Sequence, residues 1–191
     1  MYSWGYIKEN TLSKLNLSEE EANQQGFLSR FPYYANEAMT QICSGVRPKD
    51  TFVKIEVTAD NVDTPIALPD DFVAFSDDIV RYSDGNLRND VGDEYIEYYG
   101  YNQVICRYIG TYFVPYKARW FFFTKDLHNA TTITAPADVC EALPSYIASQ
   151  CMKIDDEVKA AIYRNEFEMF LARIDDTSFK SQRTFHIGGG W

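Results

Sequence analysis

Four Asp-Asp doublets, Asp70-Asp71, Asp77-Asp78, Asp155-Asp156 and Asp175-Asp176, are the first candidates for chemistry in this sequence. Paired acids can hold a divalent cation or share the acid and nucleophile roles of glycoside hydrolysis. These acids are neighbours in sequence only, and none follows the spacing of an EF-hand loop. A chain with 28 acidic residues against 18 basic ones produces such doublets at helix caps and solvated turns. His128 and His186, the two histidines, sit in neither an HExxH pattern nor a cysteine-rich cluster that would complete a zinc shell. A nucleophile elbow of the GxSxG type is missing, and Cys106 with His128 has no local motif behind it. Gly188, Gly189 and Gly190 follow the last helical pattern instead of opening a helix, so they do not form a phosphate-binding loop. The residues therefore predict no catalytic constellation, no cofactor site and no metal site.

The same glycines carry Trp191 beyond a long amphipathic region. Tryptophan offers a large apolar surface and one N–H donor, while consecutive glycines hold no packed conformation of their own. Ile187, Gly188, Gly189, Gly190 and Trp191 thus read as a docking tail for a pocket on another subunit, with ordinary terminal fraying as the alternative.

The elements that would position such a tail follow from length and pattern. In 191 residues there is room for one sizeable core, or for one core with a smaller insertion. Hydrophobic residues at 46% and aromatics at 16% are a folding composition. A net charge of −10 argues against tight binding to nucleic acid or an anionic membrane, since both need a basic footprint. Acidity suits a tunnel through which DNA slides, because phosphates then find no counterion-release affinity there. Cys43, Cys106, Cys140 and Cys151 form no CxxC pair, Met1-Tyr2-Ser3-Trp4 does not open a secretory signal, and no apolar run reaches membrane-spanning length. A reduced cytoplasmic protein is expected, in which the Asn129-Ala130-Thr131 sequon is a chance match.

Residues up to Gly45 read as helices. Ser18 and Glu21 make a capping box before an acidic first turn, and Pro32 opens a helix whose apolar face is Phe31, Ala35, Ala38, Met39 and Ile42, stopped by Gly45 and Pro48. From Thr51 the period becomes two, with Val53, Ile55 and Val57 alternating with Lys54, Glu56 and Thr58. Further strands are expected at 66–68, 79–82, 95–99, 103–108 and 117–124, separated by turns such as Ser83-Asp84-Gly85-Asn86 and Gly100-Tyr101-Asn102. Helical signals return after Pro136, with Pro144 opening a region that runs to about Asp176 and is interrupted at Asp155-Asp156. In its second half, one stripe contains Val158, Ala161, Ile162 and Met169. A second stripe, Tyr163, Phe167, Phe170 and Ile174, points roughly the opposite way. Two apolar faces need two partners: the N-terminal helices for one, and the same bundle again or a neighbouring subunit for the other. Tyr163, Phe167, Phe170 and Ile174 are assigned to the subunit boundary. The resulting fold class is α+β, with a helical bundle from residues 1–48 and 136–178, a β-rich insertion over 49–135 as a small antiparallel sandwich or barrel, and an extended C-terminal docking tail over 179–191.

Four segments in this order carry a resemblance: Phe31-Pro32-Tyr33-Tyr34-Ala35-Asn36-Glu37-Ala38, Ile66-Ala67-Leu68-Pro69-Asp70-Asp71-Phe72, the aromatic run Arg119 to Phe123, and Ala142-Leu143-Pro144-Ser145-Tyr146-Ile147-Ala148. With the helix, β-insertion, long-helix and tail order, the chain resembles the head-to-tail connector (adaptor) proteins of tailed bacteriophages over nearly its whole length. That resemblance implies a structural virion protein, not an enzyme, assembled in the host cytoplasm as a homo-dodecameric ring beneath the portal protein. Such a ring extends the DNA tunnel, passes genomic DNA without specific binding, meets no membrane, and presents a surface to the next tail component. The tail Ile187 to Trp191 would dock on portal subunits. Two other classes stay open: a carbohydrate-binding module stacking sugars on Trp120, Tyr98 and Tyr99, and a small hydrolase using Asp or Glu.

Overall fold

Capping chemistry sets the first helices of the chain, in a computed structural model that describes residues 2–84, 88–92 and 94–181. Ser3 caps α1 (Trp4–Leu15), its hydroxyl accepting the Tyr6 N–H at 3.2 Å, and Asn16 ends it in the left-handed region that asparagine tolerates. The box before α2 (Glu19–Gln24) is complete: the Glu21 N–H donates to Ser18 Oγ, and the Ser18 N–H donates to Glu21 Oε2 at 2.8 Å. Helix α3 (Phe31–Gly45) has Pro32 in its first turn, and Phe31, Ala35, Ala38, Met39 and Ile42 are all fully buried.

After the β region the chain returns as α4 (Ala137–Met152) and α5 (Glu157–Ser181), separated at residues 153–156. Val139, Cys140, Ala142, Leu143, Ile147 and Ala148 are fully buried, and α1, α3 and α5 all pack on α4. Each fully buried aliphatic side chain contributes about 1.5–3 kcal/mol relative to exposure, so α4 is the axis of this core. Pro144 lies inside α4 rather than opening it. There it forgoes one backbone hydrogen bond.

The chain divides into two units, one of residues 1–47 and 120–191 and the other Pro48–Arg119. The β-rich insertion therefore ends at Arg119, short of the expected 135, and α5 continues to Ser181, past the expected 178. Residues 120–135 are pinned to the helical unit by backbone bonds. The Trp4 and Gly5 N–H groups donate to Thr131 and Asn129 carbonyls at 2.9 and 2.8 Å, and the Ile133 N–H donates to the Tyr2 carbonyl at 2.9 Å. Trp120 Nε1 donates to the Arg47 carbonyl at 2.9 Å, and the Asn36 amide brackets Phe123, donating to its carbonyl and accepting its N–H, both at 2.8 Å.

The second unit contains β1 (Lys49–Val57), β2 (Pro65–Ala67), β3 (Phe72–Phe75), β4 (Arg81–Ser83), β5 (Arg88–Asp90), β6 (Ile96–Tyr99), β7 (Gln103–Cys106) and β8 (Gly110–Ala118). All pairings are antiparallel. A five-stranded sheet runs β1-β8-β4-β5 with β3 also on β8, and a three-stranded sheet runs β2-β7-β6. Strand β8 pairs with β1 along its whole length, from Val57↔Gly110 to Lys49↔Ala118. Its other edge is shared by β4, opposite Thr111 to Phe113, and β3, opposite Tyr116 to Ala118. Pro115, which has no N–H to give a ladder, falls in the gap between these two partners. Ile55, Val57, Tyr112, Val114, Tyr116 and Ala118 of the large sheet meet Ile96, Val104 and Cys106 of the small one in a single apolar core.

The expected strand 117–124 is thus displaced to Gly110–Ala118, and its aromatic run Trp120 to Phe123 belongs to the helical unit. β8 carries apolar residues on both faces, which hides its period of two. Gly110 starts it at φ 154°, where a Cβ would lie 2.6 Å from the Tyr82 ring and 2.8 Å from the Ser83 carbonyl oxygen. Gly110→Ala is expected to lower the stability of this unit by about 1–3 kcal/mol. A urea titration followed by tyrosine fluorescence measures it, and an unchanged midpoint would contradict the strain.

Candidate functional site

Helix α5 has two apolar stripes and one intramolecular partner face. The Tyr163 hydroxyl donates to the Lys14 carbonyl, and Lys14 Nζ pairs with Glu166 at 2.7 Å, fastening α5 to α1. Phe167 is fully buried, edge-on to Tyr146 of α4 at 4.9 Å between centroids, with the Arg164 guanidinium over both rings. Ile174 is buried as well, and Phe170 is half-buried beneath Arg173. Of Tyr163, Phe167, Phe170 and Ile174, expected at a subunit boundary, Phe167 and Ile174 are therefore corrected to core positions, and Tyr163 and Phe170 are half-buried beside them. Aromatic side chains bury the most area, and the larger stripe is consumed by the chain's own core.

The opposite stripe is the open one. Val158, Ile162 and Met169 are 72%, 57% and 68% exposed, Ala161 beside them is exposed too, and Ile154 extends the surface from the turn before α5. At 100° per residue Val158, Ile162 and Met169 fall within a narrow arc, with Asn165 between them. Asp156 caps this helix: its carboxylate accepts the Lys159 N–H at 3.0 Å, and that bond lowers its pKa.

A second surface lies in the β unit, on the side of the large sheet opposite its core. Phe52, Phe113 and Pro115 share that side because residues alternate along β1 and β8, and the register sets Phe52 opposite Pro115. With Ile79 they floor a groove of about 730 Å³ rimmed by Asp50, Asp77, Asp78 and Asp90. The sequence pattern singled out Asp77 and Asp78 as a carboxylate pair, but not the apolar floor beside them. An available signal was Phe52, an aromatic on the otherwise polar face of the Val53-Ile55-Val57 alternation.

The groups weighed for chemistry are dispersed. Cys106, Cys140 and Cys151 are buried, and burial pushes their thiols up to about 11, 12 and 12, away from nucleophilic thiolate. His128 Nδ1 accepts the Ala130 N–H at 3.1 Å in a turn. Asp71 accepts the Tyr116 hydroxyl at 2.9 Å, and Asp78 closes a turn with Ser76. Tyr98 and Tyr99 are half-exposed, Tyr98 lying against Phe75 at 4.4 Å, whereas Trp120 is partly buried with its N–H engaged. Among the described residues no group of three or more His, Cys, Asp or Glu is placed to hold a metal ion, and no helix is long and apolar enough to cross a membrane. His186 and the tail Ile187, Gly188, Gly189, Gly190 and Trp191 lie outside the described residues.

Compared with known proteins, the chain matches no protein-family model, and no curated protein is significantly similar to it.

The two stripes of α5 respond oppositely to charge. Phe167→Asp puts an unpaired carboxylate into the core and is expected to cost more than about 4 kcal/mol, whereas Val158→Asp, on the solvent side, stays within about 0.5 kcal/mol of wild type. Circular dichroism melts of the two variants check this. A folded, wild-type-like Phe167→Asp would return that stripe to the exterior.

Proposed function

We propose that this protein is a structural subunit of a phage neck, a head-to-tail connector that assembles as a homo-oligomeric ring beneath the portal protein and hands the DNA tunnel on to the next tail component. The observation that carries this reading is the exposed aliphatic stripe Val158, Ile162 and Met169 on a helix whose other face is already committed. Scattered surface leucines and valines are ordinary, but an ordered stripe along one helix is the form that a subunit contact takes. The order of elements supports it: helices, a β insertion, then long helices.

In this role the chemistry is that of contact rather than catalysis. A net charge of −10 keeps a tunnel wall from gathering counterion-release affinity for the passing genome. A tail that docks on a partner's surface would tie assembly to the presence of that partner. Assembly in the host cytoplasm and residence in the virion neck belong to the same proposal.

Electron microscopy of the protein mixed with portal tests it. Rings are expected with wild type, and Val158→Asp combined with Met169→Lys is expected to abolish them while the monomer stays folded. Absence of rings with wild type on DNA-filled heads would sink the proposal. A gel-shift titration with duplex DNA should show no retardation at low salt, and tight, salt-sensitive binding would rule out the sliding tunnel.

The exposed Tyr98, Tyr99 and Tyr101 favour a second reading, a sugar-stacking module. Titration with oligosaccharides, followed by tyrosine fluorescence, separates the two: saturable quenching belongs to the module and a flat trace to the connector.

A further inference from the structure

The groove in the β unit has a chemistry that specifies its occupant. Its floor is apolar, with Phe52 63% exposed and Ile79 61% exposed beside Phe113, whose ring meets Phe52 edge-on at 5.9 Å. Its rim is acidic. Arg81, the cation among the lining residues, is held by Asp90 at 3.7 Å, and Lys54 on the same side of the sheet is paired with Glu56 at 2.6 Å. Among the described residues no ion pair engages Asp50, Asp77 or Asp78. The surrounding unit, Pro48 to Arg119, has thirteen acidic side chains against seven basic ones. A partner for this groove must bring aromatic or branched side chains next to positive charge, because an acidic segment would be repelled and a purely basic one would leave the floor wet.

The chain itself contains such a segment. After Asp176 there are no acidic residues, and Lys180, Arg183 and His186 alternate with Phe179, Phe185, Ile187 and Trp191. The stretch 182–191 follows α5, and ten residues extend at most about 36 Å, enough to cross from one subunit to the surface of another. We propose that the groove floored by Phe52, Ile79, Phe113 and Pro115 receives the basic, aromatic segment Lys180 to Trp191 of a second copy of this chain. This rests on the ring reading in one respect, that the donor is a neighbour. A contact between two different surfaces, groove and tail, is the heterologous kind that generates closed rings.

The test separates the two ideas. A fluorescently labelled peptide of residues 177–191 is titrated with the full-length protein at low concentration, and polarisation is read. Saturable binding is expected, weakening with added salt and falling about tenfold or more in Asp77→Asn with Asp78→Asn, and again in Ile79→Ser. All three positions are surface positions in the loop before β4, and circular dichroism verifies that the variants are folded. No saturable binding, or binding indifferent to both variants, overturns the docking. A photo-crosslinker in place of Trp191 then identifies the donor, using a mixture of tagged and untagged full-length chains. Adducts at the groove of the other copy are expected, and adducts confined to the chain's own groove overturn the assignment to a neighbour. Portal-bound rings seen without peptide binding would leave the connector reading intact and remove this contact alone.

Discussion

Everything in the helical unit follows from one constraint: from Ala142 to Ser149 every residue of α4 is buried. Between Ala137 and Met152 only Asp138 and Glu141 are charged, and Asp138 lies at the edge, paired with Arg47. A helix buried all round needs neighbours on every side, and α1, α3 and α5 supply them. Because α1 and α3 come from the start of the chain and α5 from its end, the β unit has to be an insertion. The points where the chain leaves and returns are joined by the Trp120 indole on the Arg47 carbonyl. That bond ties the first residue after the insertion to the last one before it.

The same constraint decides what α5 exposes. One of its faces is spent on α4 and α1, through Phe167, Ile174 and the Lys14–Glu166 pair. Among the described residues of this unit none covers Val158, Ile162 and Met169. The sequence made both stripes visible but not which one turned inward, since each is apolar and each has helical spacing. The deciding terms are tertiary: a carbonyl acceptor for the Tyr163 hydroxyl, an edge-on ring for Phe167, a cation for Glu166. None of these has a period.

Local chemistry was the legible part. The Ser18–Glu21 box, the start of α3 at Pro32 and its five-residue buried face all follow from capping rules and the 3.6-residue repeat. In the β unit the alternation of Val53, Ile55 and Val57 identifies β1, yet β8, the strand that pairs with three others, stayed hidden. Phe113 and Pro115 occupy its outward positions, so apolar residues run without a break from Tyr112 to Tyr116 and the period vanishes. The Trp120-Phe121-Phe122-Phe123 run then attracts the strand assignment by composition, although the Phe123 backbone is bracketed by the side chain of Asn36, which lies in α3. The groove has the same origin as the hidden strand. The residues that blur the alternation of β8 are those that floor it.

Magnitudes fix how such surfaces can work on the proposed reading. Burying Val158, Ile162 and Met169 against a neighbour contributes about 1.5–3 kcal/mol each at most, while association costs about 4–15 kcal/mol in lost freedom. One pair of subunits bound through this stripe alone is therefore weak, and mutual repulsion between copies of net charge −10 weakens it further. A ring changes the arithmetic. Each subunit is held by two neighbours, and one already seated on a portal has given up most of its freedom before the next arrives, which raises the effective concentration for that next contact. Surfaces too weak to assemble in dilute solution then suffice on a template, and the modest size of the stripe becomes the reason that a connector waits for its portal.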